Sequence, residues 1–312
     1  MSNLLFAGDF HITEQDIPEI NAIFQELLIL KDKHSVSKLL ITGDTFDKVN
    51  PTPKEIDCFA SFIKAINIQV ILLAASSHES ISNTESILNH FGILNNNIKV
   101  VKEYQDDNYL FMGHFALKES KTSYGATKTK AEFASFKYVI LGHVHSFELI
   151  KPNVCQLGSI RYVDFAEVKD EKKVCLLLEN YKEKTEKCHF LALHSPFAMK
   201  EVSMGNKVVN SLPGLPGKKS EEEIRAYMDN LPKNTKVRVI FTDFESFKAF
   251  LPFYHVYKEK FVVFKDKKDF DVLVQALEQK KEQIDVKSSL REYLEANKVN
   301  EDIKKILLEE IK

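Results

Sequence analysis

No apolar run in these 312 residues approaches the roughly 20 residues that a membrane-spanning helix needs. The chain reads as a strand almost from its first residue, so no cleavable leader is expected. Charge of one sign is lacking too. With 43 basic and 45 acidic residues the net charge is −2, which gives no global attraction to nucleic acid. A local basic strip, or a charged partner, remains compatible with that balance. Cysteine is sparse. Cys58, Cys155, Cys175 and Cys188 show no C-x-x-C spacing, and Cys175 falls inside the apolar run Val174 to Leu178. All four are expected to be reduced, buried small hydrophobes in a cytoplasmic protein. There is no internal repeat and no low-complexity segment.

What the chain does have is apolar runs that end in Asp and His. Strands are expected over Asn3 to Ala7, Lys38 to Thr42, Ile68 to Ala75, Tyr109 to Met112 and Tyr138 to Leu141. They lead into Gly8-Asp9-Phe10-His11, Gly43-Asp44-Thr45-Phe46-Asp47, Ser76-Ser77-His78-Glu79, Gly113-His114 and Gly142-His143-Val144-His145. Strand ends expose side chains at the rim of a sheet, where loops build sites. Between the strands, Ile20, Ile23, Phe24, Leu27 and Leu28 form one helical stripe, and Ile56, Phe59, Ile63 and Ile66 another. A further helix is expected from Asn83 to Phe91, stopping at Gly92. From Phe147 to Leu193 only strands and charged turns are expected. A β/α half followed by an all-β half suggests two sheets packed face to face, with helices outside.

Gly205, Pro213, Gly214, Pro216 and Gly217 mark a break near residues 203–219. Three parts follow: a domain over 1–200, a small α/β unit over 201–267 and a charge-rich helical tail over 268–312. In the small unit, Ser220 with Glu223 reads as a capping box, Lys236 to Thr242 as a strand, Asp243 to Phe250 as a helix and Phe261 to Phe264 as a strand.

The mixture of carboxylate and imidazole suits manganese, iron or zinc, and points to a hydrolytic metalloenzyme. Two metals need a shared anion, and Asp44 is the candidate bridge. One metal would take Asp9, His11, Asp44 and His145; the other Asp44, Ser77, His114 and His143. His78 has no metal assigned, and could donate a hydrogen bond to a phosphate or a proton to a leaving alkoxide. Asp47 could orient a ligand. Any one fragment is weak, since a lone D-x-H or G-H is common; the ordered set, each after an apolar run, carries the reading. His34, His90, His189, His194 and His255 lack such context and read as structural or solvent-facing.

This ordered set resembles the calcineurin-like metallophosphoesterase superfamily over about residues 4–146. Within it the chain is most similar to the SbcD-type double-strand-break-repair nucleases, including short bacteriophage recombination nucleases. The narrower likeness rests on Gly158-Ser159-Ile160-Arg161, then Asp164-Phe165, Glu167 and Lys172-Lys173, and on the order of parts. The resemblance implies a four-layer α-β-β-α sandwich with a small α/β capping domain and a C-terminal helical tail. It implies two divalent metals, manganese foremost, and a metal-dependent DNA exonuclease and endonuclease in break repair or recombination. The implied partners are DNA, an SbcC-type coiled-coil ATPase docked by helices near Leu290 to Leu294 and Ile303 to Ile311, and a second copy meeting through helices near Ile56 to Ile66 or Asn83 to Phe91. Those tail helices read equally as an ordinary hairpin packed on its own domain. The implied setting is the cytoplasm of a bacterium or a phage-infected host, with no membrane. Lys118, Lys121, Lys128 and Lys130 are candidate phosphate contacts, or a solvated loop. One departure stands out: the family has G-N-H where this chain has Ser76-Ser77-His78, so Ser77 replaces an Asn ligand with a weaker hydroxyl. Two alternatives follow. One is another metallophosphoesterase, acting on a small molecule or phosphoprotein. The other is an attenuated or inactive scaffold that binds DNA and an ATPase.

Overall fold

The computed structural model describes residues 2–74, 86–122, 125–164, 167, 173–194, 198–205, 214–216, 221–231 and 235–241. It is a mixed α/β structure. The first sheet contains β1 (Leu4–Ala7), β2 (Lys38–Ile41), β3 (Gln69–Leu73), β4 (Ile98–Val101), β10 (Val174–Glu179) and β11 (Lys187–Ala192), in the order β11-β10-β1-β2-β3-β4. The second contains β5 (Tyr104–Asp106), β6 (Leu110–His114), β7 (Tyr138–Gly142), β8 (Glu148–Lys151) and β9 (Val154–Gln156), in the order β5-β6-β7-β9-β8. Strands β1 to β4 run parallel to one another, as do β6, β7 and β9, while β10, β11, β5 and β8 pair antiparallel. Helices α1 (Ile17–Lys33), α2 (Pro53–Ile66) and α3 (Leu88–Leu94) supply the crossovers that parallel pairing requires.

Side chains alternate across a strand, and here the alternation divides two cores. Leu5, Ala7, Leu39, Ile41, Val70 and Leu72 join Ile20, Ile23, Phe24 and Leu27 of α1 and Phe59, Phe62, Ile63 and Ile66 of α2. The opposite set, Leu4, Phe6, Leu40, Ile71 and Leu73, shares one buried cluster with Leu110, Met112, Ile140 and Cys155 of the second sheet. The outer residues Phe111, Val139 and Leu141 cluster with Leu117 and Phe133. On that outer face the described residues place a 3-10 turn, Lys130–Phe133, where the sandwich expectation calls for helices. Helix α2 opens with a full capping box: Thr52 accepts from the Glu55 amide, Glu55 accepts from the Thr52 amide, and Pro53 stands in the first turn.

Several expectations need correction. The all-β stretch after Phe147 contributes strands to both sheets. Strands β8 and β9 extend the second sheet, while β10 returns to pair antiparallel with β1, Leu4 opposite Leu178. Helix α3 does not stop at Gly92 but runs to Leu94, because Gly92 keeps a helical backbone and the chain turns extended only at Asn95. Strand β6 runs on through His114. Cys58, Cys155 and Cys175 are buried, but Cys188 is exposed, since it lies on strand β11 at the edge of the first sheet.

The chain divides into two compact units, one of Met1–Glu201 with Tyr227–Val237, the other of Val202–Ala226 with Arg238 onward. Strands β12 (Ala198–Gly205), β13 (Gly214–Pro216) and β14 (Thr235–Phe241) form a three-stranded sheet ordered β13-β12-β14, and α4 spans Glu221–Asp229. The expected cap of Ser220, the helix over 243–250, the strand over 261–264 and the tail over 268–312 lie outside the described residues, as does His255. Among the described residues no helix is long and apolar enough to cross a membrane.

Far from the Asp/His strand ends, Glu186 clasps the two sheets. It accepts from Tyr109 (2.7 Å), Tyr138 (2.9 Å) and Lys137 (2.6 Å), residues at or next to the N-terminal ends of β6 and β7. Burial pushes its pKa up, but Lys137 and the other donors outweigh that and hold it below its ordinary value. A depressed carboxyl pKa adds stability that is fully present above the unfolded value, about 4.3, and is lost as pH falls through the folded one. Glu186→Gln should therefore lower the thermal midpoint at pH 7, with the gap to wild type closing below about pH 4. Melting curves across about pH 3–7 check this. A gap that is constant over that range would exclude the ionic contribution.

Candidate metal centre

Six of the seven candidate ligands meet at the C-terminal ends of β1, β2, β6 and β7, and the seventh, Ser77, lies outside the described residues with His78. Ligand atoms of Asp9, His11, Asp44 and His145 all lie within 4.8 Å of one another. The imidazoles stand in two pairs: His11 with His145, ring centroids 4.7 Å apart, and His114 with His143, 5.3 Å apart. Asp44 lies between the pairs. Its Oδ2 is 3.4 Å from His11 Nε2 and 3.3 Å from His114 Nε2, the position a bridging carboxylate requires.

The backbone holds this arrangement under strain. His11, Asp44 and His143 have φ of 46°, 44° and 84°, a region that residues with a Cβ rarely enter. The loops after β1 and β2 are laced together, with the amides of Phe10 and His11 both donating to the Asp44 carbonyl at 3.0 and 2.8 Å. Glycine is required before two of these positions. Gly43 has φ of 120°, and a Cβ there would stand 2.3 Å from the His114 ring. A Cβ on Gly142 would stand 2.6 Å from Asp9 Oδ1 and 2.7 Å from the Thr42 carbonyl.

Four of the six candidate ligands are oriented by a neighbour. Asp9 is wholly buried; its Oδ1 accepts from the Thr42 hydroxyl (3.0 Å) and its Oδ2 from the His143 amide (2.8 Å). His114 Nδ1 lies 2.8 Å from the Thr42 carbonyl, which leaves Nε2 facing Asp44. His11 Nδ1 lies 3.2 Å from Asp47 Oδ1, the orienting contact anticipated for Asp47. His145 Nδ1 lies 2.9 Å from Glu167 Oε1. The other oxygen of Glu167 takes Lys173, whose amine also reaches the His145 carbonyl and the Ser159 hydroxyl, both at 3.1 Å. Sequence reasoning noted Glu167 and Ser159 in a similarity segment but assigned them no role; it missed Thr42. A buried carboxylate behind a histidine fixes the tautomer and the ring direction.

The electrostatics suit a cation. Burial opposes charge on His114, but Asp9, then Asp44 and the Thr42 carbonyl outweigh it and push its pKa up to about 9. His143 goes the other way, lowered by burial and then by His114. Glu167 is held to about 2, burial being outweighed by His145 and Lys173. The acidic pair thus draws positive charge into a buried space. Two carboxylates and four imidazoles, with Asp9, His11, Asp44 and His114 buried, His145 half-buried and His143 open to solvent, fit first-row divalent ions.

Among the described residues His34 and His189 face Glu179 at 3.3 and 3.2 Å, and His194 faces Glu26 at 3.0 Å. Among the loop lysines, Lys128 bonds Glu103 at 2.9 Å and lies over the Phe115 ring at 4.1 Å, a structural role.

No family model matches the chain, and no curated protein matches it. Among the solved structures that match, one crystal structure is similar at 12% identity and a TM-score of 0.36, covering 62% of this chain and 99% of its own. A likeness of that size carries no argument about fold or function.

Proposed function

We propose that this chain is a calcineurin-like metallophosphoesterase with a four-layer sandwich core, a dinuclear phosphodiesterase that cuts DNA. The observation that carries the dinuclear reading is Asp44 Oδ2 between His11 and His114, with an imidazole pair on either side. Asp9, His11, Asp44 and His145 would hold one divalent ion, manganese foremost; Asp44, Ser77, His114 and His143 would hold the other. Such a pair, when bound, supplies Lewis acidity toward a phosphoryl group and the attacking water. The chain's own part is positional. Thr42, Asp47 and Glu167 aim the ligands, and the strained turns at His11, Asp44 and His143 hold them before substrate arrives. His78 is assigned the phosphate contact or the proton for the leaving oxygen.

DNA as substrate, and an SbcC-type ATPase as partner, rest on the Gly158-Ser159 to Lys173 segment and on the order of parts in the sequence. One feature favours a second reading. Ser77 offers a weaker ligand than the family's Asn, so the site would be attenuated, or the chain a DNA-binding scaffold. The test is manganese-dependent degradation of end-labelled duplex and single-stranded DNA, with and without an SbcC-type partner. Wild type should cut, His78→Ala should lose at least about a hundredfold, and Ser77→Asn should cut faster. Activity seen only in Ser77→Asn would make the natural chain a scaffold; hydrolysis of small phosphodiesters with no DNA cleavage in any variant would remove DNA as the substrate.

A further inference from the structure

Arg161 is among the largest fully buried side chains, and the chemistry assigned above does not use it. Its guanidinium donates to three backbone carbonyls: Phe10 from Nε (3.0 Å), His11 from Nη2 (2.6 Å) and Tyr162 from Nη1 (3.2 Å). Two of these belong to the turn that carries His11 into the left-handed region. Behind the guanidinium stand two buried acids. Asp16 Oδ2 is 3.1 Å from Nη2, and Glu19 Oε2 is 3.7 Å from Nη1. Lys236, on β14 within the first unit, closes the group: its amine bonds Asp16 and lies 3.5 Å from Glu19. Thr13 donates to Asp16 at 2.8 Å.

Two cations therefore share two carboxylates, and only one of them touches the His11 turn. We infer that Arg161 is the positioning residue for His11, and that Lys236 sets its grip by sharing Asp16 and Glu19. A planar fork can bond several carbonyls at fixed angles, which an ammonium cannot. Without Lys236, both acids would face the guanidinium alone and draw it off the Phe10 and His11 carbonyls. The turn would then relax toward ordinary backbone and the His11 ring would leave its place beside His145. The link reaches from β14 to a metal ligand through one buried side chain. It rests on the metal-centre reading above.

The test uses the full-length chain with ¹⁵N-labelled histidine. Ring nitrogen signals are read first without metal and then on titration with zinc ion, for wild type, Lys236→Met and Arg161→Lys. In both variants the His11 signals should shift or broaden while those of His114, held by Thr42, stay in place. Zinc affinity should fall about tenfold or more. A merely structural role would lower the melting temperature and leave the His11 signals of the folded protein unchanged; that result, with unchanged zinc affinity, overturns the inference. Lys236→Met alone decides the matter if Arg161→Lys does not fold. If wild type takes up no zinc, the metal-centre reading fails, and the His11 signals still settle whether Arg161 and Lys236 position that ring.

Discussion

Glu167→Ala is expected to weaken divalent-metal binding by about 10- to 100-fold and to destabilise the fold at the same time. The two losses have separate causes. Glu167 Oε1 fixes the His145 ring from behind, so without it the imidazole can turn or take the wrong tautomer. Glu167 Oε2 neutralises Lys173, whose side chain is only 4% exposed. Removing one partner of a buried pair costs about 3 kcal/mol or more, because the other charge is stranded. For a unit of this size that corresponds to a fall of roughly 6–12 °C in melting temperature. The double change Glu167→Ala with Lys173→Met separates the effects. It should recover much of the stability and none of the affinity. Recovery of both would show that metal binding fell only because the fold loosened, and would end the orienting role of Glu167. Calorimetry and metal titration on wild type and the two variants supply both readings.

Asp44→Asn should reduce the bound divalent ions from two to at most one, with a loss of cleavage well above a hundredfold. The variant is well chosen for its backbone. Asp44 sits at φ 44°, and Asn is one of the few residues that tolerate that region. Its carbonyl would still receive the amides of Phe10 and His11. What disappears is the charge on the oxygen between His11 and His114. Metal counting by elemental analysis, with melting temperature as the folding control, checks it. Two ions bound with native affinity would remove Asp44 as the bridge.

Much of this site was legible in the sequence because its logic is local. Each candidate ligand lies just past an apolar run of strand length, and before Asp9, Asp44, His114 and His143 a Gly stands where a Cβ would obstruct, as at Gly43 and Gly142. The stripes of α1 and α2 were legible for the same reason, since one buried face repeats every turn. What local pattern does not carry is pairing across long separations. Nothing in Val174–Glu179 says whether that strand joins the second sheet or returns to β1, because a buried apolar run does not name its partner. Arg161 was read as part of a motif and not as a buried anchor, since a charged residue in sequence looks exposed until its carbonyls and acids are assembled around it. Glu167 was silent likewise: its partners Lys173 and His145 lie 6 and 22 positions away.

The pairing of Leu4 with Leu178 sets the order in which the protein can be finished as it is made. β1 leaves the ribosome well before β10 and finds β2 soon after, but its other edge waits for β10. During that interval Leu4–Ala7, apolar on both faces, is an open edge with unpaired amides and carbonyls, the kind of surface on which nascent chains stick to one another. The turn holding His11 waits as well, since Arg161 emerges late. The newborn chain therefore carries this strand half clothed until β10 emerges, and it is in that interval that shelter by a chaperone would matter.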